Sequence, residues 1–231
     1  MKKEILSIDN IPAILWGEES GIVYIFVHGK MSSKEDAQGF AKIATQKGFQ
    51  VLSFDLPEHG ERKNEDYPCM AWNGVHDLGI IGNYVRRGWN EIYIYGSSIG
   101  AYFCLLAYKD YPIKKCLFLS PILDMERLIQ NMMKWADVNE HMLKEQGEIP
   151  TPTGETLYWD YYCYVRENPI VKWDIPTVIL YGAEDNLTER EIVETFTNRF
   201  DCDLTILEGG EHWFHTEWQL AFLNEWFNKN I

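Results

Sequence analysis

The run Gly96-Ser97-Ser98-Ile99-Gly100 sets a serine between two glycines, directly after an apolar stretch and directly before a helical one. A G-x-S-x-G turn in that context holds its serine in a strained conformation and presents the hydroxyl to a cleft. The glycines remove side chains where a strand and a helix must pass closely. A serine hydroxyl is a weak nucleophile at neutral pH, so it needs an adjacent base that is itself oriented by a third group. Asp185 follows one later apolar run and His212 follows the next. The chemistry these three side chains can do together is acyl transfer: Ser98 as nucleophile, His212 as general base, Asp185 as the orienting acid.

Two neighbours compete for these roles. Glu184 adjoins Asp185, but the run Gly182-x-x-Asp185 after the strand places the aspartate better. His215 stands three residues past His212, at a position expected to fall inside the last helix, whereas His212 is expected in the loop. His28 and His59 read as loop braces, and His76 as a helix residue. An oxyanion needs two backbone N–H donors near the serine. Ile99 supplies one as the residue after the nucleophile, and Lys30 the other, from the turn His28-Gly29-Lys30.

The elements that must position these groups recur as a unit of apolar run, loop and amphipathic segment. The runs are Ile22 to Val27, Val51 to Phe54, Ile92 to Tyr95, Cys116 to Leu119, Thr177 to Tyr181 and Leu204 to Leu207. Continuous apolar runs of this length suit strands covered on both faces, the parallel-sheet case. Helices are expected over 34–47, 73–87, 98–109, 188–200 and 213–228, with Gly48 and Gly88 supplying left-handed stops. Residues 3–16, with a turn near Asn10, form an edge hairpin. Strand and helix in alternation mean a parallel sheet with right-handed crossovers, whose carboxyl ends bind ligands. Every chemistry-bearing loop above follows the end of such a strand.

Residues 121–172 break the rhythm. Two helices, 125–145 and 156–165, and a Pro-Thr-Pro-Thr-Gly loop at 150–154 read as a helical insertion over the sheet edge with no strand of its own. Its aromatic-dense run from Leu157 to Tyr164, with Met132, Met133 and Trp135, suits either a pocket wall or packing onto the sheet. Candidate pocket residues are His28, Gly29, Ser97, Asp124, Trp135 and Trp159. Asp124 serves equally as the cap of the helix that follows.

Composition bounds the rest. The 231 residues suit one α/β domain, 1–231, with its insertion at about 121–172. A net charge of −14 argues against nucleic acid and against an anionic membrane surface. Five cysteines, an odd number without a C-x-x-C pair, fit a reducing compartment and hence a cytoplasmic location. No secretory leader or membrane-inserting segment is read in the chain. Neither metal nor organic cofactor is called for.

Strand-His28-Gly29, Asp55-x-Pro57-x-His59-Gly60, the Ser98 turn, strand-Gly182-x-x-Asp185 and Gly209-x-x-His212-x-Phe214 together resemble the α/β-hydrolase superfamily. The likeness is to its small bacterial esterase and acyl-aminopeptidase-like members with a short lid. It implies a mostly parallel, doubly wound sheet of about seven to eight strands with a helical cap. It also implies a serine esterase working on a small-molecule ester through an acyl-enzyme. The same triad serves a thioesterase, a peptidase or amidase, or an acyltransferase. A catalytically silent hydrolase fold that binds a ligand is a further alternative, disfavoured because all three side chains are present. A dehalogenase-type mechanism would need an aspartate at position 98. Acyl and alcohol identity and oligomeric state stay open.

Overall fold

The computed structural model describes residues 1–231. The chain opens with an antiparallel hairpin of β1 (Lys3–Ile8) and β2 (Ile11–Trp16). Its turn puts Asp9 and Asn10 at φ 51° and 69°, the left-handed region these two side chains tolerate best after glycine. Alternation follows through β3 (Ile22–Val27), α1 (Gln38–Gln46), β4 (Gln50–Phe54), α2 (Ala71–Gly88), β5 (Glu91–Ser97), α3 (Ile99–Ala107) and β6 (Ile113–Leu119). The interrupting stretch holds α4 (Met125–Trp135), α5 (Glu140–Gln146), β7 (Glu148–Pro150), β8 (Thr156–Tyr158) and α6 (Trp159–Glu167). The chain closes with β9 (Thr177–Gly182), α7 (Arg190–Phe200), β10 (Asp203–Leu207) and α8 (Glu217–Asn230).

Eight strands make one sheet in the order β1-β2-β4-β3-β5-β6-β9-β10. Only β2 pairs antiparallel, with β1 and β4; every pairing from β4 onward is parallel. β4 and β9 are buried at every position, which is what cover on both faces demands. One face packs on α1 and α8, with 18 buried apolar residues; the other holds 39. The asymmetry comes in part from the insertion, since Met125, Ile129, Leu143, Leu157, Tyr162 and Val165 join the larger cluster alongside α2 and α3.

Four expectations need correcting. The 125–145 segment is two helices, because Asp137 takes φ 54° and Asn139 starts α5 by accepting the Met142 N–H. The insertion does contain strands: β7 and β8 pair antiparallel around the Pro-Thr-Pro-Thr-Gly run, and the helix begins only at Trp159. Three-residue strands are too short for an alternating pattern to announce them. The last helix starts at Glu217 rather than Trp213, with Thr216 and Gln219 forming a capping box, so His215 lies in the preceding loop. Gly88 ends α2 without a left-handed turn, the chain passing straight to extended Trp89; Gly48, at φ 86°, does provide its stop.

Candidate active site

β5 delivers the nucleophile candidate. Ser98 stands at φ 50°, ψ −120°, the cap of α3, outside the basins that serine ordinarily occupies. Two hydrogen bonds to the end of β6 and the loop after it hold it: its N–H donates to Leu119 O at 3.0 Å, and its carbonyl accepts from Ile122 N at 3.2 Å. Gly100 explains the glycine at the end of the motif. A Cβ there would lie 2.3 Å from the carbonyl oxygen of His28 and 2.7 Å from that of Val27, so only glycine lets α3 begin against the end of β3.

β9 and β10 deliver the other two groups. The Asp185 carboxylate has no solvent exposure; its Oδ1 accepts from Leu187 N at 2.8 Å and Thr188 N at 3.0 Å. Its Oδ2 lies 2.7 Å from His212 Nδ1, and His212 Nε2 lies 2.9 Å from Ser98 Oγ. An ionised carboxylate only accepts, so Nδ1–H must donate to Asp185 and Nε2 is left to accept the Ser98 hydroxyl proton. The acid and base loops are tied by their backbones, Ala183 N to Leu207 O at 3.0 Å and Glu184 N to Gly210 O at 2.7 Å. The competing groups lie elsewhere: Glu184 is exposed, and His215 bonds Trp213 O and Glu211.

On the other side of Ser98 runs the loop after β3. A Cβ on Gly29 would sit 3.3 Å from Ser98 Cβ and 3.2 Å from Ser97 Oγ, so Gly29 and Ser97 both abut Ser98. The backbone N–H groups of Ile99 and Lys30 have no acceptor within the protein. A tetrahedral oxyanion needs such free donors in front of its serine.

His28 braces this loop. Leu56 N donates to its Nε2 at 3.1 Å, which leaves Nδ1–H to donate to Gly29 O at 2.7 Å. Burial pulls its pKa down to about 4, the Gly29 carbonyl partly opposing. His59 donates from Nδ1 to Pro57 O at 2.7 Å, and His76 is exposed on α2.

The remaining pocket candidates are dispersed. Asp124 caps α4 by accepting Arg127 N at 2.9 Å and borders a cavity of about 360 Å³ between α4, α6 and α7, which Ser98 does not line. Trp135 is 53% exposed at the end of α4. Trp159 packs on the core with Lys144 over its ring. No polar contact joins Asp124, Trp135 or Trp159 to Ser98 or His212. Sequence reasoning missed the support beneath the β3 loop, where Lys34 and Asp55 pair with their side chains buried. Asp55 stood in a quoted motif, but a lysine at the start of an amphipathic segment carries no signal of burial.

No group of three or more His, Cys, Asp or Glu side chains is arranged to hold a metal ion. All five cysteines are unpaired, and no helix is long and apolar enough to cross a membrane.

No family model matches the chain. A Phaeosphaeria nodorum protein named hydrolase phmG is 31% identical over 86 residues, which are 34% of this chain and only 20% of that protein's length. A Mycoplasma genitalium protein named esterase/lipase 2 is 23% identical over 208 residues, 78% of this chain and 77% of that one. Among solved structures, Est1E from Butyrivibrio proteoclasticus with ferulic acid bound superposes with a TM-score of 0.80 at 18% identity, over 98% of this chain and 96% of that one. With its eight-stranded sheet and strand-end loops, the chain has the α/β-hydrolase fold over nearly its whole length.

Proposed function

We propose that this chain is a serine hydrolase that cleaves a small carboxylic ester through an acyl-enzyme. The observation that carries the reading is the unbroken hydrogen-bonded line from Ser98 Oγ through His212 to the fully buried Asp185 carboxylate. Ser98 Oγ attacks the ester carbonyl carbon while its proton passes to His212 Nε2. The buried Asp185 carboxylate favours the imidazolium so formed and keeps the ring in its productive tautomer. The oxyanion takes hydrogen bonds from the Ile99 and Lys30 N–H groups, which need no reorganisation because no protein acceptor holds them. Collapse expels the alcohol, which takes the proton from His212. Water activated by the same imidazole then releases the acid and restores Ser98. Residues 121–172 are read as the cap over this chemistry.

The names of the relatives favour esters over other acyl compounds, and ferulic acid on Est1E adds an aromatic acyl group to the panel. The test is hydrolysis of p-nitrophenyl esters of increasing acyl length and of methyl ferulate, by wild type and Ser98→Ala. Turnover that disappears in the variant, with a fluorophosphonate attached to Ser98 in wild type only, is the expected outcome. Turnover surviving Ser98→Ala, or no turnover together with no labelling of Ser98, would sink the proposal. A thioester and an anilide in the same panel decide between ester, thioester and amide preference.

A further inference from the structure

The loop 28–34 carries the Lys30 N–H and, next to it, Met31 at φ 61° with a side chain 94% exposed. A bulky residue in the left-handed region costs on the order of 1 kcal/mol or more, so something outside Met31 must hold it there. Besides the exposed Lys30–Glu155 ion pair within the loop, the holds are at its two ends. At the entry, His28 accepts Leu56 N–H. At the exit, Lys34 has its ammonium 2.7 Å from Asp55 Oδ2, 2.8 Å from Glu61 Oε1 and 3.1 Å from Glu35 Oε1. Lys34 also donates its backbone N–H to Asp55 Oδ1 at 2.9 Å, and Glu61 N–H donates to Asp55 Oδ2 at 3.0 Å. Burial alone would favour the neutral amine, but the three carboxylates push the Lys34 pKa up.

A buried ion pair is a poor way to stabilise a fold, since an apolar pair of equal volume commonly does as well. What it provides and an apolar contact does not is a directional fix of one backbone against another. We infer that Lys34, through Asp55, is a positioning residue for the oxyanion hole: the pair locks the exit of the 28–34 loop so that Lys30 N–H stays aimed beside Ser98. The inference rests on the serine-hydrolase reading and goes beyond it.

The test compares wild type, Lys34→Met and Lys34→Met/Asp55→Asn, the double variant removing the lone buried carboxylate that could unfold the single one. Three quantities are measured on folded protein: kcat, KM and affinity for a trifluoromethyl ketone, whose adduct with Ser98 places an oxyanion in the hole. Misaligning one donor should lower kcat and ketone affinity together by about 10- to 100-fold with little change in KM, since removing a donor outright costs about 100- to 1,000-fold. Lys34→Arg, which keeps the charge, should recover part of the loss. Ketone affinity and kcat at wild-type levels in the folded double variant would overturn the inference while leaving the function intact. Wild type that neither turns over nor reacts with a fluorophosphonate would overturn the function itself.

Discussion

Ser98 stands between two supports built on different physics. On the proposed acid–base side the ionised carboxylate is held by short-range bonds: Asp185 accepts the N–H groups of residues two and three positions on and donates its own N–H to Gly182 O, while Ala183 N and Glu184 N cross to Leu207 O and Gly210 O. The side proposed to hold the oxyanion relies on side-chain partners far along the chain, with Leu56 28 positions from His28 and Asp55 21 positions from Lys34. Turn chemistry of the first kind needs only the few residues at and after the end of β9. The second kind needs β3 and β4 already paired and an ion pair taken out of water, so it trades desolvation for direction. The turn around Asp185 is local; the hold on the loop after β3 is long-range and conditional on a buried ion pair.

The sharpest break on the local side is Asp185→Asn. It keeps the shape of the turn but leaves Nδ1–H of His212 without an ionised acceptor, so the imidazole can take the wrong tautomer. Loss of kcat on the order of 10,000-fold is expected, with the melting curve little changed. His215→Ala, three residues past the proposed base and with its side chain bonded only within its own loop, should leave ester turnover at the wild-type level; steady-state kinetics on both variants settle which imidazole works.

The next effect is on folding and touches both supports at their junctions with the sheet. Gly182→Ala would put a Cβ 2.5 Å from the carbonyl oxygens of Gly210 and Glu211, and Gly100→Ala one 2.3 Å from His28 O. Backbone atoms cannot give way as a side-chain tip can, so each variant should lose about 3 kcal/mol or more in urea unfolding. Equal damage from both would mean that the two sides share one scaffold. Damage from Gly182→Ala alone would mean that the oxyanion side can yield.

This contrast also explains how far the sequence could be read. Ser98, Asp185 and His212 were legible as residue types in short motifs at strand ends, because the local side announces itself within a few positions. The parallel strands were legible because burial on both faces leaves continuous apolar runs. Lys34 was not, since its burial depends on a carboxylate from a neighbouring strand and nothing in its own segment distinguishes it from a solvated lysine. β7 and β8 were hidden by their length. The late start of α8 was missed although Thr216-Glu217-Trp218-Gln219 has the pattern of a capping box.

A smaller effect separates the two sides by pH. In the unfolded chain His28 titrates near its ordinary 6.5; in the fold, burial brings it to about 4. Between those values the unfolded state binds the extra proton, so stability rises with pH across the window and is lost as pH falls from about 6.5 through 4. At pH 4.5 the loss from this group is on the order of 2 kcal/mol. His28→Gln keeps an acceptor for Leu56 and a donor for Gly29 but does not titrate. Urea melts at pH 7 and 4.5 should therefore show a smaller gap for the variant than for wild type. An equal gap would mean that His28 is not held neutral by the fold.

The smallest effect concerns the side chain of Lys30, which forms an ion pair with Glu155 between β7 and β8. The pair joins the oxyanion loop to the insertion, yet its two side chains are 51% and 37% exposed, and exposed pairs contribute about 0–1 kcal/mol. What the proposed mechanism uses at position 30 is the backbone N–H, which any residue but proline supplies. Lys30→Ala should therefore cost less than about 1 kcal/mol in stability and leave kcat nearly untouched, while Lys34→Met, four residues on and buried against Asp55, should lower it strongly. A reversal of that order, with the exposed lysine mattering and the buried one not, would mean that the loop is positioned from the insertion and not from beneath. The 148–158 hairpin would then be part of the proposed oxyanion support, and the division into a local and a long-range side would have to be redrawn around it.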